Sequence, residues 1–210
     1  MKQLLRELQH TLELVYRIEP TSDVGDFILS PGQRAQFSIA RAPREQLLLR
    51  QQADALEVGL FFAPGLLEPL ARGLDERNLD EFLQVAEGVS HFLYVMVRAR
   101  AERPFSALEL ELQAEVDKYL LALLIAWAAD RRPPEGLRER LFQGVRFHDD
   151  LSSDERDRYR TANGAANEYA ALLELRFVRP RALADLLAEL RRFYRLGCAE
   201  KLDHIARQAA

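Results

Sequence analysis

Two long helical patterns joined by one short link dominate the chain, and they occupy residues 78–130. The first begins at Asn78, a good helix N-cap, and apolar residues then recur at spacings of three and four. The second begins with Ser106 and Glu109, which have the S-x-x-E spacing of a capping box. The link around Pro104 is short, so the two helices must be antiparallel neighbours. This segment therefore predicts a helical hairpin that the rest of the chain covers.

From Glu19 the chain differs, because prolines and glycines up to Pro43 break it into pieces too short for helices. Residues 45–51 and 56–62 are the strongest pieces, and both predict strands. In the second piece, apolar residues alternate from Leu56 to Phe62, which is typical of a strand with one face on a core. We expect these pieces to form an antiparallel hairpin, with residues 26–29 as a possible third strand. A sheet this small is not stable alone and should pack on the helices.

Further amphipathic patterns predict more helices on either side of these segments. They cover residues 2–16, 135–142, 152–177 and 180–197, with a short helix in the tail. The sequence thus predicts an α+β fold that is mostly helical, with a small antiparallel β-hairpin on a bundle of about five or six helices. We expect a single domain over residues 1–210, with a strand-containing part at about 20–63 and a helical part at about 78–208.

Composition narrows the setting and the partners. No apolar run approaches the ~18 residues of a membrane span, and the N-terminus has no uninterrupted signal-peptide core. The single cysteine, Cys198, cannot form an internal disulfide, which favours a reducing compartment. We therefore expect a cytoplasmic protein without membrane contact. The net charge of −4 argues against nucleic-acid binding over a large surface. Arginine supplies 26 of the 29 basic residues, which favours a GC-rich, bacterial genome over selection for arginine chemistry.

Several signatures of catalysis and of cofactor binding do not occur in the sequence. It contains no G-x-x-x-x-G-K-[ST], G-x-G-x-x-G, H-E-x-x-H or G-x-S-x-G motif. The four histidines and the one cysteine lie far apart, which disfavours a structural zinc site. Paired Glu-x-x-His units of di-iron bundles are also missing. No metal is assigned from the sequence, and no cofactor is identified.

One polar cluster within the hairpin stands out. Glu87 and His91 are four residues apart, so they share one face of the first helix, and His91 is level with Glu115 to within about 3 Å. A helical wheel places Glu87 and His91 opposite the apolar face, which predicts a solvated polar stripe. The wheel places Glu115 at the edge of the buried face of the second helix. A binding site at these residues would need a third layer over the stripe.

The helix that begins near residue 152 is the candidate for that layer. The full candidate binding cluster is Glu87, His91, Glu115, Tyr119, Arg160, Asn163 and Asn167. A buried carboxylate is costly unless it is paired, so we expect Glu115 to have an arginine, tyrosine or histidine partner from another helix. A bond to Lys118, three residues on, would be too weak to justify burial if the pair were exposed.

Three functions are open at this point. A well-specified helical core without a recognisable catalytic motif favours a non-enzymatic interaction or regulatory module that binds a protein partner or forms a homo-oligomer. The alternative is a small-ligand-dependent or metal-dependent enzyme centred on Glu87, His91 and Glu115. A weaker alternative is nucleic-acid contact through the helix that carries Arg191 to Arg195, although such a run is more often the charged side of an amphipathic helix.

Overall fold

A computed structural model of the chain describes residues 2–37, 43–52, 55–75, 77–130, 136–143, 145 and 151–209. Within these residues the protein has an α+β, mostly helical fold, as predicted. The eight α-helices are α1 (Lys2–Tyr16), α2 (Pro31–Ala35), α3 (Leu79–Arg100), α4 (Ala107–Asp130), α5 (Leu137–Phe142), α6 (Ser153–Leu173), α7 (Leu183–Arg195) and α8 (Cys198–Ala209). The two strands are β1 (Glu45–Gln52) and β2 (Ala55–Phe62).

The predicted helical hairpin is formed by α3 and α4, which pack against each other at the centre of the molecule. Ser106 caps α4 as expected, because its Oγ accepts a hydrogen bond from the Glu109 backbone N–H at 3.1 Å. Asn78 does not cap α3 with its side chain. That side chain donates to the carbonyl oxygens of Pro69 and Gly73, at 3.1 and 2.8 Å, and so fixes the loop that leads into the helix.

The two strands form one antiparallel hairpin whose register pairs Glu45 with Phe62. β1 and β2 both pack on α3, so the sheet covers one side of the central helices. The possible third strand at residues 26–29 is reduced to a single parallel bridge between Ile28 and Leu60. Two backbone hydrogen bonds of 2.8 Å hold residues 27 and 29 to Leu60, and the Leu29 side chain covers Gly59 on the outer face of the hairpin.

The remaining helices form an outer layer on the hairpin. α6 packs along α4, and its inner face carries Ala162, Ala166 and Ala170, each at most 2% exposed, because methyl side chains let the two helices approach closely. α1 packs on α3, α7 on α1, and α8 on α6. A π-helical turn, Glu174–Val178, continues α6 beyond its α-helical part. None of the helices in the described ranges combines the length and the apolar character that a membrane span requires.

Two details of the predicted helices differ from the structure. α2 lies in the region that we expected to contain only short broken pieces, and it forms because Ser30 and Gln33 make a reciprocal capping box before a proline at the first turn. α7 begins at Leu183 rather than near residue 180. The described residues thus form eight α-helices, where about five or six were expected for the bundle, and two of them, α2 and α5, are short.

Candidate metal centre

A cluster of charged side chains lies where β1 meets α3 and α4. Glu45 begins β1, and Glu87 and His91 lie one turn apart on α3. Glu111 and Glu115 lie one turn apart on α4. The spacing of four residues puts each helical pair on one face of its helix, and the antiparallel hairpin brings the two faces together. Three carboxylates, those of Glu45, Glu87 and Glu111, thus lie near the His91 imidazole, and Glu115 lies in the same cluster.

Three of these groups have the geometry of metal ligands. One carboxylate oxygen of Glu45, one of Glu87 and one ring nitrogen of His91 all lie within 4.8 Å of one another. Oxygen and nitrogen ligands lie about 2.0–2.2 Å from a bound ion, so two of them on opposite sides of the ion are at most about 4.4 Å apart. Small side-chain movements would therefore bring all three atoms into contact with a single cation.

His91 is buried with an unsatisfied ring nitrogen. The residue is 6% exposed, and its Nε2 has no hydrogen-bond partner within the described part of the chain. The nearest carboxylate oxygen, Glu111 Oε2, is 3.5 Å away, which is an ion-pair contact too long for a good hydrogen bond. Glu45 Oε1 is likewise buried and unpartnered there. A buried polar atom without a partner is costly, so two such atoms within one cluster call for a ligand or a proton.

The electrostatics of the cluster hold protons on two of its groups. Burial raises the pKa of Glu45 to about 8, and the negative charges of Glu87 and Glu111 contribute although His91 opposes them. Burial alone would lower the pKa of His91, but the carboxylates of Glu111, Glu45 and Glu87 outweigh this effect and raise the pKa to about 9. The pKa of Glu87 is instead lowered, since Lys118 and His91 more than offset its burial. Near neutral pH, Glu45 and His91 are therefore both protonated.

Lys118 is the main fixed cation of the cluster. Its ammonium donates to Glu87 Oε2 and to Glu115 Oε1, both at 2.9 Å, and its side chain is only 12% exposed. Burial raises the pKa of Glu115, although Lys118 opposes this. Arg158 from α6 adds a second positive charge, with its Nε 4.0 Å from Glu111 Oε1. Lys118 therefore bridges the two helices of the hairpin through one carboxylate from each.

Gly88 makes room for the carboxylate of Glu45 on the surface of α3. A Cβ at this position would lie 2.9 Å from Glu45 Oε1 and 2.9 Å from Phe62 Cε1. Real side chains essentially never approach so closely, so only glycine allows the strand to lie this near the helix. The site thus depends on one missing side chain between Glu87 and His91.

The structure brings together three of the residues predicted from the sequence: Glu87, His91 and Glu115. The solvated stripe expected for Glu87 and His91 is wrong, since β1 and α4 cover that face of α3. The expected partner of Glu115 is also wrong. Its partner is Lys118 of its own helix, whose ammonium also binds Glu87, and both side chains of the Lys118–Glu115 pair are largely but not fully buried.

The other predicted residues have different surroundings. Tyr119 donates to Glu174 at 3.2 Å, Arg160 is exposed and pairs with Asp157 at 3.1 Å, and Asn167 accepts a hydrogen bond from Arg138 at 2.7 Å. The Asn163 side-chain nitrogen is buried and has no partner in the described ranges. α6 packs on α4 and borders the cluster through Arg158 and Tyr159, whereas β1 and α4 cover the stripe that we expected α6 to cover. Burial raises the pKa of the Tyr159 hydroxyl, and the nearby charges of Glu111 and Glu87 raise it further.

Sequence reasoning missed Glu45, Glu111 and Arg158 as members of the cluster, and it considered Lys118 only as a weak partner of Glu115. For Glu111 a signal existed, because it precedes Glu115 by four residues and so repeats the spacing of Glu87 and His91. Gly88 was a second signal, since a glycine inside an apolar helix often marks a close approach. Nothing in the sequence pointed to Glu45, whose place depends on how the β-hairpin packs on α3.

A second buried polar network lies elsewhere in the bundle, and its side chains form hydrogen bonds with one another. Asp117 accepts hydrogen bonds from Tyr16, from Ser90 at 2.5 Å and from Gln113 at 2.9 Å. Lys201 of α8 donates to Gln113 Oε1 at 2.5 Å, and its ammonium lies 4.9 Å from the centre of the Tyr94 ring. Burial raises the pKa of Asp117 to about 6 and lowers that of Lys201 to about 7. This network joins α1, α3, α4 and α8.

The arginines of α7 bind the end of α1. Arg191 Nε donates to the Val15 carbonyl at 2.7 Å, and Arg195 donates to the Tyr16 carbonyl at 3.4 Å, so both stabilise the last turn of that helix. A surface cleft of about 550 Å³ lies between the π-helical turn, α7 and α8. Its charged lining comprises Arg176, Arg192, Arg207, Glu189, Glu200, Asp203 and His204. Arginines and acidic residues are equal in number there, so charge does not select a ligand.

No protein-family model, curated protein or solved structure matches the chain.

Proposed function

We propose that the protein binds a divalent metal ion between Glu45, Glu87 and His91, beside the Glu111 carboxylate that lies 3.5 Å from His91 Nε2, and that it carries out a metal-dependent reaction there. The observation that carries the proposal is the buried His91: its Nε2 has no hydrogen-bond partner among the described residues, and one of its ring nitrogens lies within 4.8 Å of carboxylate oxygens of Glu45 and Glu87. Imidazole nitrogens that lack a protein partner and face carboxylates are typical metal ligands.

The charges of the cluster support an ion with two positive charges. When Glu45 and His91 lose their protons, four carboxylates face only two cations, Lys118 and Arg158. Two negative charges then remain in a buried place, and a divalent cation offsets both. In the metal-free protein the protons on Glu45 and His91 provide the same balance. The cluster therefore suits an exchange of two protons for one divalent ion.

The donor atoms favour a class of metal. Carboxylates suit Mn²⁺ and Mg²⁺, and an imidazole shifts the preference towards Mn²⁺, Fe²⁺ and Zn²⁺. Three protein ligands leave room in the coordination sphere for water, as in catalytic rather than structural sites. A bound ion lowers the pKa of such a water and can supply a nucleophile near neutral pH. This makes the metal-dependent enzyme the favoured function among those considered from the sequence.

A thermal melt of metal-stripped protein tests the proposal. With Mn²⁺ or Zn²⁺ at about 100 times its dissociation constant, binding adds about 2.7 kcal/mol to the free energy of unfolding. For a chain of this size that raises Tm by about 5–10 °C. His91→Gln should lose the shift, because it removes the ligand nitrogen.

The matched control is His10→Gln, since the His10 side chain is 69% exposed on α1. This variant should keep the full shift. A wild type whose Tm does not respond to Mn²⁺, Fe²⁺ or Zn²⁺, or a His91→Gln variant that responds equally, contradicts the proposal.

A further inference from the structure

We infer that Lys118 holds the second cation position of this cluster and thereby limits the site to one metal ion. The inference rests on the proposed function and deepens it, because it decides whether the chemistry uses one ion or two. It identifies Lys118 as a specificity-determining residue that contacts the ligands of the metal.

The Lys118 ammonium lies where a metal ion bound between two carboxylates would lie. It lies 2.9 Å from a carboxylate oxygen on α3 and 2.9 Å from one on α4, and its side chain is largely buried. Glu87 belongs both to this bridge and to the three ligand groups around His91. In two-metal sites a carboxylate in this place joins two ions about 3.5–4 Å apart. Here a fixed ammonium takes the place of one of them.

The ligands for a second ion are already present. Glu115 has no metal to bind in the one-ion arrangement and pairs with Lys118 instead. If the lysine were neutral, Glu87, Glu115 and the nearby Glu111 would offer carboxylate oxygens to a second ion. Four carboxylates would then face a single fixed cation, Arg158, and the remaining three negative charges exceed what one divalent ion offsets. Removal of the lysine charge should therefore open the second position.

Metal stoichiometry tests this inference with Mn²⁺ as the probe. Equilibrium dialysis followed by metal analysis should give one Mn²⁺ per chain for the wild type and two for Lys118→Met. The two ions in the variant should also show exchange coupling in the EPR spectrum, because Glu87 bridges them. Lys118→Arg keeps a cation and should stay at one ion. Lys2→Met is the matched control, since Lys2 is exposed and pairs only loosely with Asp26 at 3.7 Å.

Lys118→Met leaves largely buried carboxylates without a cation, which disfavours folding in the absence of metal, so Lys118→His serves as a second variant. Its imidazole can carry a proton during folding and can then bind the second ion. Two Mn²⁺ per chain in either variant support the inference. One ion or none in both variants, or two in the wild type, overturns it. A wild type that binds no ion refutes the proposed function itself, so the two failures are distinguishable.

Discussion

Gly88→Ala is the substitution that most directly probes how the strand and the helix form the site. Gly-to-Ala exchange in a helix interior normally stabilises by about 1 kcal/mol. At Gly88 the new methyl group would lie 2.9 Å from both Glu45 Oε1 and Phe62 Cε1, so it must push the strand or the carboxylate away. Overpacking of this kind costs about 1–3 kcal/mol. The net effect should therefore lie between neutral and about 2 kcal/mol destabilising.

Gly164→Ala provides the matched control. Gly164 also lies inside a helix, α6, but a Cβ there would meet nothing within 4 Å. This substitution should stabilise the protein by the full ~1 kcal/mol of helix propensity. Urea denaturation of both variants should thus give unfolding free energies about 1–3 kcal/mol apart, with similar m values.

Metal affinity gives the second measurement on the same two variants. Gly88→Ala should weaken Mn²⁺ binding because it displaces the Glu45 carboxylate from His91, whereas Gly164→Ala should leave binding unchanged. Gly88→Ala could instead stabilise the protein as much as Gly164→Ala and leave Mn²⁺ affinity unchanged. In that case Glu45 does not pack on α3 as described, and its assignment as a metal ligand is wrong.

Three further predictions follow from individual groups. Mn²⁺ binding near pH 7 should release about two protons, because Glu45 and His91 have pKa values of about 8 and 9. Calorimetry in buffers of different ionisation enthalpy measures this number, and binding without proton release would contradict the ligand assignment. Glu115→Ala should lower the free energy of unfolding in urea by about 1.5–3 kcal/mol, because it removes a largely buried charged hydrogen bond. Glu57→Ala, which removes an exposed pair with Arg50, should lower it by less than about 1 kcal/mol, and equal losses would mean that Glu115 is exposed. The pKa of Lys201 is about 7 in the folded state, below its unfolded value, so the buried ammonium destabilises the fold most below pH 7 and less as pH rises towards about 10.5. The free energy of unfolding in urea should therefore rise over this pH range for the wild type and should lose that rise in Lys201→Met. The same pH profile in both proteins would refute the prediction.

The central fold was predictable because its signals are local. Ser106 and Glu109 mark the start of α4, Pro104 lies in the link, and both helices have periodic apolar faces, so the hairpin follows from short-range rules. Alternation from Leu56 to Phe62 likewise identified β2. Asn78 shows the limit of such rules. It precedes α3 as predicted, but its side chain donates to two loop carbonyls and does not cap the helix.

The site was only partly predictable, because its burial is a tertiary property. A helical wheel treats the face opposite the apolar residues as solvent, and for α3 that face is covered by β1 and α4. Glu87 and His91 were therefore found as a pair but assigned to the surface. Glu45 reaches them across about 40 residues of chain, and no spacing rule links a strand residue to a helix that far away.

The interaction role expected from the sequence stays a prediction, as do the cytoplasmic location and the bacterial source. It was inferred from the lack of a recognisable catalytic motif. A metal site assembled from one strand and two helices has no contiguous motif, so a motif search cannot detect it. Two of the arginines between residues 191 and 195 bind the end of α1, which gives them a structural role whether or not the helix contacts nucleic acid.

Anomalous diffraction from crystals soaked in Mn²⁺ tests the central claim most directly. Data collected on the long-wavelength side of the iron edge, where manganese scatters anomalously, should show one peak per chain between Glu45, Glu87 and His91. The ligand atoms should lie about 2.0–2.3 Å from the peak, and Lys118 should remain bound to Glu87 and Glu115. Crystals that show no peak at this position at saturating Mn²⁺, or a peak that persists there in His91→Gln at the same occupancy, would contradict the account.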